Sequence, residues 1–364
     1  MQDKRKREDL MDKIRETTAK IKGPDLKLME AAQERLDNLT KPLGSLGRLE
    51  ELARQIVGIS AKQSPELKNK VIFTLAADHG VTEEGVSAYP KEVTAQMVYN
   101  FVRGGAGINV LAKHAGARVV VVDMGVVEEL KPSPELVIRK IGPGTKNMAK
   151  GAAMTRDEAI KSIEAGIAIF EQEFKKGLDI IGTGEMGIGN TTAASAITAV
   201  FTGKSVEELT GRGAGVDDKG LKNKIEIIKK AIKVNQPNPE DAIDVLSKVG
   251  GFEIGGLVGI ILAAASRKVP VVIDGFISGV AALLAYKLEP KVKPYMIASH
   301  CSVEIGHKVI LDHIGLKPIL NLDLRLGEGT GAALGISLAD AAVKILTQMA
   351  TFKSANVSEK KNDQ

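Results

Sequence analysis

A lone carboxylate offers the clearest chemistry in this 364-residue sequence. Glu328 lies between two glycines in Leu324-Arg325-Leu326-Gly327-Glu328-Gly329-Thr330-Gly331, just before a long apolar stretch. Glycines let backbone and substrate approach closely. A carboxylate held there has no solvated surface to retreat to, and partial burial raises its pKa towards the range of a general base. The plainer alternative is that Glu328 complements the dipole of the helix that follows. On these residues alone the two readings are even.

A second loop reads Asp179-Ile180-Ile181-Gly182-Thr183-Gly184-Glu185-Met186-Gly187-Ile188-Gly189-Asn190-Thr191-Thr192. A strand running through glycines into a helix makes an anion site from backbone N–H groups at the helix N-terminus. Gly182, Gly184 and Gly187 also satisfy G-x-G-x-x-G, the weak signature of a dinucleotide-dependent oxidoreductase. No Lys follows in the Walker position, so a P-loop is excluded. A phosphate clasp is favoured over a tight packing turn.

Three further segments carry candidate groups. Asp78-His79 ends an apolar run, as a catalytic pair or metal ligands would, although capping and local hydrogen bonding is the favoured reading. Gly211-Arg212-Gly213-Ala214-Gly215 leads into a helix with Lys224, which suits a phosphate contact but reads more simply as a surface lysine. His300, Glu304 and His307 share a face if that segment is helical. The chain has no H-E-x-x-H motif and no Cys pair to complete a zinc site, so a metal is disfavoured.

The elements that hold these loops follow from periodicity. Helical spacing runs through residues 1–60. From residue 70, short apolar runs alternate with helical stretches: Val71–Leu75, Val119–Val122, Leu178–Ile181, Val269–Ile273 and Tyr295–Ala298. The intervening helices are expected at 93–115, 156–176, 191–201, 221–234 and 239–249. This is α/β grammar: an open, mostly parallel, Rossmann-like sheet flanked by helices, plus a small helical lobe from both chain ends. Ligands then bind beyond the carboxyl ends of the strands. The expected division is a helical part at 1–60, a catalytic α/β domain at 61–330, a closing helix at 331–352 and a flexible tail at 353–364.

Composition narrows the classes. Aromatics are 3% with no Trp, which leaves little stacking surface for single-stranded nucleic acid. The net charge of +5 is concentrated around Lys4–Arg7 and Lys360-Lys361, and reads as solvated ends rather than a nucleic-acid arm. One cysteine, Cys301, excludes an intrachain disulfide framework and suggests a cytoplasmic protein. No membrane span is expected, because the apolar run 254–266 is too short.

Taken together the loops are specific. D-H-G-V with G-V-S-x-Y-P, G-E-M-G-I-G-N-T-T, N-Q-P-N-P-x-D-x-I-D-V-L-S-K-V-G-G-F-E and R-L-G-E-G-T-G-A-A-L occur in that order. Over residues 25–350 the chain resembles the nicotinate-nucleotide–dimethylbenzimidazole phosphoribosyltransferases of cobalamin nucleotide-loop assembly. The resemblance implies transfer of phosphoribose from nicotinate mononucleotide to 5,6-dimethylbenzimidazole, with inversion at the anomeric carbon. It implies a homodimer and no metal or cofactor. Glu328 matches the family's catalytic glutamate, with Arg325 and Gly327 shaping its surroundings. Gly187, Gly189, Asn190 and Thr191 would hold the donor phosphate, with Lys224 and Ser302 as further phosphate or ribose contacts. Glu185 would face the ribose or nicotinate. The acceptor pocket is expected beside Ser87, Tyr89, Pro90, Gln96 and Met97. Here the sequence departs from the family pattern. Tyr89 replaces a smaller residue, and Met97 stands where a Gln contacts the base. Gln96 is adjacent, but one helical position is about 100° of rotation. Benzimidazoles, purines and phenolic acceptors all stay open. So do two alternatives to transfer: a nucleotide-binding relative without it, and the oxidoreductase above.

Overall fold

In the computed structural model, residues 11–358 are described; the basic runs at Lys4–Arg7 and Lys360-Lys361 lie outside them. Each expected strand run becomes a strand of one sheet. The strands are β1 (Lys70–Ala77), β2 (Ala117–Gly125), β3 (Leu136–Ile138), β4 (Ile180–Met186), β5 (Val271–Ile273) and β6 (Met296–Ala298). All pairings are parallel, in the order β3-β2-β1-β4-β5-β6. The sequence reading missed β3, whose three residues pair at one edge and leave too short an apolar run to see.

This is the doubly wound order, and its direction of growth reverses between β1 and β4. There the outgoing loops diverge and open a crevice. The register sets Leu75 opposite Glu185 and Ala76 opposite Met186, so the loops after β1 and β4 leave the sheet side by side.

Period-two alternation explains the layers. Val71, Phe73 and Leu75 point to one face of β1, against helices Arg156–Phe174, Phe252–Ser266 and Phe276–Leu288. Ile72 and Ala76 point to the other, where helices Leu26–Asp37, Arg48–Ser60, Gly107–Ala115 and Thr330–Gln348 close over the sheet. Segments 26–60 and 330–348 thus share one layer, whereas the first described helix, Asp12–Ala19, packs on the other face through Ile14. Helix Thr330–Gln348 is long and apolar enough to cross a membrane by composition. Its Ala332, Ile336, Ala339, Val343 and Leu346 are instead buried in that layer.

Two local expectations are corrected. The stretch 93–115 is two helices, Val93–Arg103 and Gly107–Ala115, because Gly104 takes φ +79° and ends the first. The segment 299–304 is not helical, and the helix starts only at Ile305, so His300, Glu304 and His307 do not share a helix face.

Candidate active site

A cavity of about 640 Å³ opens at the carboxyl ends of the strands, beside the point where the strand order reverses. Its size suits a small-molecule site.

Glu328 forms part of the wall. Its Oε2 accepts the Ile108 N–H at 3.0 Å, in the first turn of helix Gly107–Ala115. The break at Gly104 therefore delivers a helix N-terminus to this carboxylate. Burial pushes the Glu328 pKa up, and the Ile108 N–H pulls it partly back. The dipole partner of Glu328 is thus a different helix from the one that follows it. Glu328 itself has φ +63°, a left-handed conformation uncommon for a residue with a side chain. Thr74 Oγ1 on β1 donates to its carbonyl at 2.8 Å.

Gly182 and Gly184 lie inside β4, not in the loop beyond it. The G-x-G-x-x-G match is therefore not a dinucleotide turn. Its second glycine serves close packing: a Cβ on Gly184 would overlap the Glu328 carbonyl.

After β4, the loop Gly187–Gly189 enters helix Asn190–Thr202, and Glu185, Gly187, Gly189, Asn190 and Thr191 all reach the wall. Glu185 accepts a hydrogen bond from the Asn190 amide. Burial, then the charges of Glu253 and Asp274, push its pKa up to about 8, which makes it a neutral hydrogen-bonding acid at pH 7. A neutral Glu185 does not repel a phosphate. Lys224 is 1% exposed and lies behind this helix, donating to Thr191 Oγ1 at 2.7 Å. Burial lowers its pKa to about 8, against the charge of Glu304. The surface-lysine reading of Lys224 is therefore wrong.

Arg325, Gly327 and Ser302 also line the cavity. Arg325 donates to the Gly213 carbonyl at 3.3 Å, and Glu304 accepts the Gly213 N–H at 2.9 Å. Two tethers from the C-terminal segment thus hold the glycine-rich bend. The Ser302 N–H donates to His307 Nδ1 at 3.0 Å. Burial drops His300 to about 4 and His307 to about 3, so both imidazoles are neutral. Among the described residues, no group of three or more His, Cys, Asp or Glu side chains is arranged to hold a metal ion.

The opposite wall comes from the segment after β1. Ser87, Tyr89 and Met97 line it with Val86 and Val93. Tyr89 is 53% exposed at the rim. Gln96 and Pro90 are not brought to this wall; both are exposed. Met97 faces inward, and Gln96, one position back, turns to solvent. The Pro90 carbonyl accepts the Val93 N–H at 3.2 Å, so Pro90 starts the helix from outside the pocket.

Asp78 and His79 stay behind the wall. Asp78 Oδ2 accepts the Val127 N–H at 2.7 Å, tying the loops after β1 and β2. His79 Nε2 pairs with buried Glu253 at 2.7 Å. Burial opposes charge on His79, but Glu253 overrides it and holds the pKa above its ordinary value. Sequence reasoning missed Glu253, Asp274, Phe276 and Ile277. Asp274 follows the last residue of β5 directly, and a strand-end position was the available signal.

The phosphoribosyltransferase family profile matches residues 21–357. A nicotinate-nucleotide–dimethylbenzimidazole phosphoribosyltransferase of Geobacter metallireducens is 58% identical over 97% of this chain and 100% of its own length. One of Geobacter sulfurreducens is 55% identical over 96% of this chain and 99% of its own. The crystal structure of CobT from Thermus thermophilus superposes with a TM-score of 0.88 at 44% identity, covering 92% of this chain and 100% of that one.

Proposed function

The chain belongs to the nicotinate-nucleotide–dimethylbenzimidazole phosphoribosyltransferase family, and from that membership we propose how its cavity performs the transfer. Phosphoribose moves from nicotinate mononucleotide to 5,6-dimethylbenzimidazole, giving nicotinate and α-ribazole 5′-phosphate. One acceptor ring nitrogen attacks the anomeric carbon from the face opposite nicotinate, and a β-linked donor becomes an α-linked product. The breaking C–N bond returns its electron pair to the pyridinium nitrogen, whose positive charge is neutralised. The acceptor's other nitrogen loses its proton to Glu328. The proton thus ends on the carboxylate, and no redox partner is needed.

The observation that carries this reading is a single cavity with two unlike ends. A glycine-rich turn opens helix Asn190–Thr202 at one side, and the buried carboxylate of Glu328 stands in the same wall. The donor phosphate sits on the turn at Gly187, Gly189, Asn190 and Thr191, where N–H groups and the helix dipole favour an anion. Lys224 acts through Thr191, and Ser302 and Arg325 close the ribose side. Neutral Glu185 donates a hydrogen bond to the ribose or the nicotinate carboxylate. Ser87, Tyr89 and Met97 form the acceptor slot. With Met97 rather than an amide at its inner face, the slot selects by shape more than by hydrogen bonding.

The test is a direct assay of nicotinate mononucleotide with a panel of benzimidazoles, purines and phenols, with products identified by mass and anomeric configuration by NMR. The α-riboside of dimethylbenzimidazole is expected. A β-linked product, or none, overturns the reading. The protein works as a cytoplasmic homodimer, a proposal supported by the family resemblance. Sedimentation should then give about twice the chain mass of 38.6 kDa; a monomer at micromolar concentration would contradict it.

A further inference from the structure

Three successive residues of the Glu328 turn are left-handed: Gly327, Glu328 and Gly329 have φ of +82°, +63° and +103°. A residue with a side chain holds such a conformation only where its surroundings over-determine it. Two buried side chains supply that constraint from the sheet. The Asp274 carboxylate, at the end of β5, accepts the Gly329 N–H on Oδ2 at 3.1 Å. Its Oδ1 accepts the N–H groups of Gly331 at 2.7 Å and Ala332 at 3.1 Å. Asp274 is itself fixed, because its N–H donates to Thr183 Oγ1 on β4 at 3.2 Å. From β1, the Thr74 hydroxyl grips the Glu328 carbonyl at 2.8 Å. Asp274 is 1% and Thr74 0% exposed. Neither lines the cavity, so neither meets substrate.

We propose that Asp274 and Thr74 are positioning residues of the transfer, which act through Glu328 by holding its turn left-handed. One clamp fixes the residue after Glu328 and the helix start beyond it; the other fixes the carbonyl of Glu328 itself. Between them the side chain has one place to go, onto the Ile108 N–H and towards the acceptor. A helix cap alone would need neither the bond to Gly329 nor the second clamp from β1. The inference rests on Glu328 being the base.

The test is a double-mutant cycle on the full-length protein. Asp274→Asn, Thr74→Val and Glu328→Gln are made singly, and each of the first two is combined with the third. Turnover, KM for both substrates and far-UV circular dichroism are recorded. Asn puts an NH2 group against N–H donors, so D274N should lower kcat about a hundredfold through misplacement of the base. T74V loses one hydrogen bond and should cost about fivefold. KM for nicotinate mononucleotide should stay near wild type, and Thr74→Ser, which keeps the hydroxyl, should restore turnover. Each double variant should be no slower than E328Q alone. Wild-type kcat in D274N or T74V, or losses that multiply onto a slow E328Q, would overturn the inference. Wild-type turnover in E328Q would instead remove the base reading on which it rests. Should D274N not fold, the Thr74 variants decide the question by the same comparison.

Discussion

Glu328 and Glu185 show how one cavity gives two carboxylates different environments. Glu328 is buried at the cavity wall with a backbone N–H and a helix terminus to stabilise its charge, a setting that suits taking a proton and giving it up. Glu185 is buried among Glu253 and Asp274 and is held protonated to about 8. Stability then depends on pH. The ordinary value for Glu185 is 4.5, so between about 4.5 and 8 the folded protein keeps a proton that the unfolded chain has released. Its contribution is fully present below 4.5 and is lost as pH rises through 8. Denaturant titrations should show wild type losing stability relative to Glu185→Gln between pH 5 and 8, then levelling off. A difference that stays flat over that window would contradict the protonated state of Glu185. The comparison cancels His300 and His307, whose lowered pKa values act in the opposite sense. At this scale the place of Glu328, Glu185, Asn190 and Thr191 in the cavity wall was legible, because glycines and strand ends flag them. Asp274 and Thr74 were not. Their partners are backbone groups more than 50 and 250 positions away, which leave no local pattern.

Among elements, β4 and helix Gly107–Ala115 decide where the Glu328 carboxylate stands. Gly184 lies on β4 where the Glu328 turn crosses the sheet, and a Cβ there would overlap the Glu328 carbonyl. Gly184→Ala should therefore lower stability by about 1–3 kcal/mol, the usual cost of overpacking, and lower kcat with it. A variant with unchanged melting temperature and turnover would show that the turn does not depend on this close approach. Glycine is thus used here for space in a strand rather than for a turn, which is why G-x-G-x-x-G misleads when read as text. The helix that meets Glu328 was hidden in the same way. Apolar periodicity runs on through 93–115, and only the left-handed Gly104 splits it. Met97 and Gln96 were a matter of phase. Adjacent positions differ by about 100°, and the boundary of the helix sets which of them faces in.

For the whole molecule, the sheet order places every chemical loop at one edge. The loops after β1, β4 and β5 meet where the strand order reverses, and the C-terminal segment brings Arg325 to Glu328 across them. The α/β class was legible from apolar runs alternating with helices, since buried parallel strands leave that trace. The strand order was not, because it depends on which runs pair across long crossovers. The central claim is that this cavity transfers phosphoribose with Glu328 as the base. It is tested most directly by product formation from nicotinate mononucleotide and dimethylbenzimidazole in Glu328→Gln, with donor affinity measured by calorimetry on the same sample. The account predicts unchanged donor affinity and a rate lower by about a hundredfold to ten-thousandfold, the usual worth of a general base. Turnover near wild type in that variant would contradict it.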